Sequence, residues 1–305
     1  MSRVAYLTHA DCIKHDVGPW HPESPRRIEA VDTALRATPW FGELVAIVPP
    51  HATIEQLARS HTRVHIDSIR DAIPRSGVTW IDPDTGLTLH SWNAALAAAG
   101  AAVRAVDAVM AGEVQRAFCN VRPPGHHAEA DRAMGFCLFN TVAVGIHHAL
   151  AEHGLTRIAL VDFDVHHGNG SEDIFRDEPR VKLFSSFRHP FYPYSGSQPH
   201  AGFVPVPLDA GADGASFRAA LARDVLPVLD AWRPELIFIS AGFDAHRDDP
   251  LGGLNLVEDD YAWITRELCV LADRHAQGRV VSVLEGGYDL GALGRSAIAH
   301  VGVMR

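Results

Sequence analysis

The 305-residue chain predicts an α/β protein, a parallel β-sheet with helices packed on both of its faces. Three observations carry this. Strand-like and helix-like segments alternate to the end of the chain. The strand-like runs, such as Leu236-Ile237-Phe238-Ile239, are continuously apolar, as expected of strands covered on both sides. The residues best suited to chemistry come directly after such runs, and parallel sheets bind ligands beyond the carboxyl ends of their strands. With 47% hydrophobic residues the chain can bury one large core. No Ser/Gly linker, low-complexity tract or repeat divides it, so residues 1–305 are read as a single domain.

The first strand is expected at Val4–Leu7. The loop after it carries His9, Asp11, His15 and His21-Pro22-Glu23-Ser24-Pro25, whose prolines punctuate the approach to a helix at 26–36. Further helices are expected at 61–73 and 90–111. The second is Ala-rich and broken by Gly100, Arg104 and Asp107, which marks a packed helix rather than a membrane span. It leads to a strand at Ala117–Cys119 and then to Val121-Arg122-Pro123-Pro124-Gly125-His126-His127, a loop stiffened by prolines. A helix follows at Asn140–His153. Strands at 157–161, 181–186, 235–240 and 279–284, with helices at about 213–230 and 258–275, complete the pattern.

The formal charge of −10, without a cluster of Lys or Arg, speaks against a nucleic-acid surface and suits a cationic substrate. Cys12, Cys119, Cys137 and Cys269 are scattered without a CxxC pair, which fits a reducing compartment, the cytoplasm. Asp11 comes too early to leave room for the apolar region of a signal peptide. No membrane association is expected, and a homo-oligomer is an open option.

Residues 161–170, VDFDVHHGNG, carry the densest chemistry. They follow the apolar run Ile158–Val161 and end in a Gly-Asn-Gly turn. Spacing by two places Asp162, Asp164 and His166 on one side of an extended strand. Two carboxylates and an imidazole are ligands for a divalent metal such as zinc. The plain alternative is a polar strand-to-loop junction. Three other clusters also follow predicted strands: His126-His127, Asp244, and Glu285-Gly286-Gly287-Tyr288. Asp164, His166 and Asp244 would give three protein ligands with a position left open, the arrangement of catalytic zinc. Two acidic ligands lower the metal's Lewis acidity, so a neighbouring base gains importance, and His126-His127 could supply it. Asp162 suits a carboxylate partner that fixes an imidazole tautomer, Asn169 a neutral one, and Tyr288 a donor to a developing oxyanion.

Five segments together resemble the zinc-dependent histone deacetylase superfamily, in its class II-like amidohydrolase and acetylpolyamine amidohydrolase group. They are RPPGHHA at 122–128, GFCLFN at 135–140, DFDVHHGNG at 162–170, SAGFDAHRDDPLGG at 240–253 and LEGGYDL at 284–290. His21-Pro22-Glu23 with Arg27 matches an early element of the same family, so the resemblance spans nearly the whole chain. It implies the arginase/deacetylase fold, a single domain with a parallel sheet of about eight strands between helical layers. It implies zinc on Asp164, His166 and Asp244, and His127 as general base and acid. It also implies Asp162 paired with His126, Asn169 with His127, and Tyr288 polarising the acyl carbonyl. A structural potassium ion is implied at Asp162, Asp164, His166, Ser185 and Ser186. Phe136, with Gly135 beside it, and Tyr192 match the walls of a tunnel for the acyl-lysine stem. Asp84 matches an acidic rim residue, and Arg27 an inner channel for acetate.

The chain departs from the family at Phe187, where His is frequent, and at Thr88-Leu89-His90-Ser91, where Pro-Gly is frequent. These bear on the potassium site and on the shape of the rim. The expected substrate is acyl-lysine in a protein or peptide, with acetylpolyamine the alternative. Leu251, seven residues after the last zinc ligand, stands where polyamine-specific relatives can carry an acid, and it favours acyl-lysine. An arginase-like binuclear manganese hydrolase shares the fold, and Asp244-Ala245-His246-Arg247-Asp248 mimics one of its motifs. That motif lies on the wrong strand and lacks a DxDxxDP partner. A non-catalytic acyl-lysine binder would need neither His126 and His127 nor Tyr288.

Overall fold

Eight strands form one all-parallel sheet in the order β2-β1-β5-β10-β9-β6-β7-β8. The computed structural model describes residues 2–305. The strands of the chain are β1 (Val4–Leu7), β2 (Val45–Ile47), β3 (Thr79–Trp80), β4 (Gly86–Leu87), β5 (Arg116–Cys119), β6 (Ile158–Asp162), β7 (Val181–Arg188), β8 (Phe203–Leu208), β9 (Leu236–Ala241) and β10 (Val280–Leu284). The helices are α1 (Asp11–Lys14), α2 (Arg26–Arg36), α3 (Ile54–Leu57), α4 (Arg63–Asp71), α5 (Ser91–Met110), α6 (Thr141–Glu152), α7 (Asn169–Phe175), α8 (Gly214–Asp224), α9 (Leu226–Trp232), α10 (Glu258–His275) and α11 (Leu290–Met304).

Every residue of β1, β5, β6, β9 and β10 is buried, so both faces of the central sheet are covered. This is why those strands are continuous apolar runs. α5 packs on α6, and α11 packs on both α2 and α10. α5 is long and apolar enough to span a bilayer, but 78% of that window is buried inside the fold. Its small side chains allow close approach. A Cβ on Gly100 would lie 1.9 Å from the Pro50 carbonyl oxygen.

The structure adds elements that the sequence pattern hides. β2 and β8 are the two edge strands. β2 has three residues and is partly exposed, too short for a pattern to declare itself. β8 reads FVPVPL, and its prolines argue against a strand. At an edge the missing N–H groups of Pro205 and Pro207 point away from the ladder and cost nothing. α11 is diluted by Gly291, Gly294 and Gly302 and owes its helix to packing between α2 and α10. The expected helix at 213–230 is two helices that break at Val225, because Pro227, the second residue of α9, cannot donate back into α8. The expected helix at 61–73 starts at Arg63, capped by the Thr62 hydroxyl, which accepts from the His65 amide.

Four of the central strands, β5, β10, β9 and β6, are neighbours. Their carboxyl ends therefore deliver His126-His127, Tyr288, Asp244 and Asp164 to one rim.

Candidate active site

β6 ends at Asp162, so the expectation that Asp162, Asp164 and His166 alternate along one strand is corrected. Two consecutive Asx turns position them instead. The Asp164 amide donates to Asp162 Oδ1 at 3.0 Å, and the His166 amide donates to Asp164 Oδ1 at 2.9 Å. From neighbouring strand ends, the Val165 amide donates to Asp244 Oδ1 (2.8 Å) and the Gly286 amide to Asp164 Oδ2 (2.8 Å). These bonds turn Asp164 Oδ1, His166 Nδ1 and Asp244 Oδ2 toward one point. His166 Nδ1 is 3.0 Å from Asp164 Oδ1 and 3.2 Å from Asp244 Oδ2. The glycines beside the cluster are required by space, since a Cβ on Gly242 would lie 2.0 Å from Asp164 Oδ2.

The donor set fits a divalent cation. Asp244 Oδ2 is buried and accepts no hydrogen bond, and a buried acceptor without a partner is costly. Burial, together with the neighbouring charge of Asp164, pushes the Asp244 carboxyl up to about 7. Burial disfavours the charged form of His166, but Asp164 and Asp244 outweigh it and hold the imidazole up to about 10. Burial also opposes ionisation of Asp164, and the adjacent His126 and His166 override it to hold this carboxyl well below the usual range. A cation at this point would satisfy both carboxylates at once.

The loop after β5 sets the two histidines. Glu285 Oε2 accepts from the amides of Gly125 (2.7 Å) and His126 (3.1 Å). The ring of His126 places Nδ1 2.9 Å from Asp162 Oδ2. His127 Nδ1 lies 2.8 Å from Asn169 Oδ1. Asn169 is oriented by its amide nitrogen, which donates to Glu129 Oε1 at 2.7 Å. A carboxylate can only accept, so the Asn169 oxygen must face His127, and His127 Nδ1 must carry the proton. This leaves His127 Nε2 as the free acceptor. The two rings are shifted in opposite directions. Burial lowers His126, but Asp164 and Asp162 outweigh it and hold it well above the ordinary imidazole value. Burial, with His126 and His166 beside it, keeps His127 well below that value.

Tyr288 sits on an irregular turn between β10 and α11. Burial raises its hydroxyl well above the ordinary phenol value, and Arg27, 4.9 Å from the ring centroid, relieves this only in part. The phenol therefore keeps its proton as a donor. Arg27 Nε donates to the Gly287 carbonyl at 2.7 Å, and Nη2 to the Glu285 carbonyl. Gly287 has φ +122°, a conformation that favours glycine.

A cavity of about 190 Å³ leads to these groups. It is lined by Asp84, His127, Gly135, Phe136, His166, Phe191, Tyr192, Leu251 and Tyr288. The expected wall residues Gly135, Phe136 and Tyr192, the rim residue Asp84 and Leu251 all lie on this cavity. Gly135 must be glycine, because a Cβ there would lie 2.5 Å from the His127 ring. Phe136 has φ +69°, and its amide donates to Thr85 Oγ1 at 3.1 Å. Held so, its ring meets Tyr288 edge to face at 5.9 Å. Phe191 was not foreseen. It stacks on His166 with centroids 5.3 Å apart and planes at 15°. Asp249 and the role of Glu285 were also not foreseen. Both lie inside the motifs at 240–253 and 284–290, but nothing there shows which groups they bind.

Ser185 pairs with Asp162 in the β6–β7 register, and Ser186 Oγ lies 3.4 Å from the Asp162 carbonyl oxygen. Ser185 Oγ is 3.3 Å from His167 Nδ1. In Asp244-Ala245-His246-Arg247-Asp248 only Asp244 joins the carboxylate–imidazole cluster. His246 faces Glu258 at 3.4 Å and Asp248 pairs with Arg295 at 3.0 Å. Among the described residues, the other His/Asp clusters are His9–Asp11–His51 and Asp107–His148–His153, which share no residue with this site.

The histone deacetylase domain family matches residues 21–304. The chain is 34% identical to a probable deacetylase of Archaeoglobus fulgidus, over 97% of this chain and 84% of that one. It is 35% identical to the histone deacetylase-like amidohydrolase of Pseudomonas aeruginosa, over 94% and 82%. A crystal structure of the HDA15 HD domain superposes with a TM-score of 0.93 at 33% identity, covering 100% of this chain and 90% of that one.

Proposed function

Because the chain belongs to the histone deacetylase family, we propose that it is a zinc-dependent amidohydrolase acting on acetyl- or short acyl-lysine in proteins or peptides. The family makes it a hydrolase, and the finer reading rests on one observation. A narrow cavity with aromatic walls ends on a neutral imidazole, a protonated phenol and a carboxylate–imidazole cluster.

Asp164, His166 and Asp244 would hold the zinc. When bound, it would polarise the acyl carbonyl and acidify an attacking water. His127 takes the water's proton on Nε2, which Asn169 keeps free by holding Nδ1. His126, held by Asp162 through Nδ1, packs against the His127 ring and fixes its neighbour's place. Tyr288 donates to that oxygen. His127 then returns the proton to the leaving amine. Phe136 and Tyr192 flank the aliphatic stem and exclude water, and Asp84 receives the substrate at the mouth. A monovalent cation beside Asp162, Ser185 and Ser186 belongs to the same proposal. Leu251 leaves the wall apolar where a second amine of a polyamine would need a carboxylate, which supports lysine over polyamine.

The test is turnover of acetyl-, trifluoroacetyl- and longer acyl-lysine peptides beside acetylputrescine and acetylspermine. Acetyl-lysine should have the higher kcat/KM. His127→Ala and Tyr288→Phe should each lower turnover by about 10²-fold or more. Near-wild-type rates in both variants refute the assignment, and a preference for the polyamines refutes the substrate.

A further inference from the structure

The turn from Glu285 to Asp289 carries Tyr288 without any helix or strand to fix it. The place of the phenol depends on what holds that turn. On one side Arg27 donates to the carbonyls of Glu285 and Gly287. On the other side stands Asp249, 8% exposed. Its Oδ2 accepts from the Tyr288 amide at 2.6 Å and from the Asp289 amide at 3.3 Å. Its Oδ1 accepts from the Leu251 amide at 2.9 Å. One carboxylate thus ties the loop after Asp244 to the turn of Tyr288. A buried guanidinium on the carbonyls and a buried carboxylate on the amides grip the turn from opposite ends of its peptide dipoles. Bonds from N–H groups to an ionised acceptor are about twice as strong as neutral ones.

We propose that Asp249 is a positioning residue for Tyr288, holding the phenol where it meets the acyl carbonyl. This rests on the reading of Tyr288 given above. Displacement by about 1 Å at a reacting group can cost about 10²-fold in rate; Gly286 is tied to Asp164 and Phe243, whereas the Tyr288 amide itself has Asp249 as its acceptor.

The test is a double-mutant comparison on the zinc-loaded enzyme with an acetyl-lysine peptide. Asp249→Ala should lower kcat by about 10- to 100-fold with KM changed by less than about threefold. In a Tyr288→Phe background the same substitution should cost less than about threefold, because the group it positions is already gone. Asp249→Asn keeps an acceptor oxygen and should fall between wild type and Asp249→Ala. If Asp249→Ala fails to fold, Asp249→Asn carries the same comparison. Zinc content should stay at the wild-type value in each variant. An equal loss in both backgrounds overturns the role of Asp249 alone. A rise in KM with kcat unchanged also overturns it, by reducing the residue to a support for the tunnel wall at Leu251. A wild-type rate in Tyr288→Phe removes Tyr288 from the reaction, and this proposal with it.

Discussion

Two adjacent imidazoles have partners of different charge, Asp162 for His126 and Asn169 for His127. The carboxylate of Asp162 favours the charged form of His126, whereas the amide of Asn169 fixes the tautomer of His127 without adding charge. Asn169→Asp should therefore raise the pKa of His127. The base acts only when neutral, so activity is present above its pKa and lost below it. The acid limb of kcat/KM should move to higher pH in this variant, by about one unit or more for a carboxylate in direct contact. A pH profile measured from about pH 5 to 9 checks this, and an unmoved acid limb would speak against His127 as the base. Residues that meet other side chains were legible through their motifs, as His126 with Asp162 was. Asp249 and Glu285 were not, because their partners are backbone amides 39 and about 160 residues away. A sequence shows an acid but not which amides it will find.

At the scale of elements, the core strands were legible because burial on both faces writes itself as an apolar run. The edge strands were not. β8 tolerates two prolines only because its outer side pairs with nothing, and that depends on its place in the sheet order rather than on its own residues. Asp164 and His166 do converge at the strand tip, but through Asx turns rather than strand alternation. Helix propensity meets a similar limit at Gly100 in α5. In an exposed helix Gly→Ala stabilises by about 1 kcal/mol. Here the added Cβ would lie 1.9 Å from a backbone oxygen, so Gly100→Ala should destabilise the fold. Chemical denaturation of the purified variant checks the sign. An increase in stability would show that α5 and the 50–52 segment can separate at no cost.

For the whole molecule, the sheet acts as an assembly device. Four neighbouring strands end on one rim, and each contributes a group that does nothing alone: two histidines, two carboxylates with an imidazole, and a phenol. The acids are crowded there, and Asp244 Oδ2 is buried without a hydrogen bond, a donor arrangement that fits a cation. A catalytic zinc site at this rim is tested by acetate release from an acetyl-lysine peptide by metal-stripped protein titrated with zinc. It predicts no turnover before metal is added, then a linear rise to a plateau at about one zinc per chain, the capacity of one three-ligand site with an open position. A plateau reached only with about two manganese ions per chain, the stoichiometry of a two-metal site, or acetate release indifferent to metal, would contradict it.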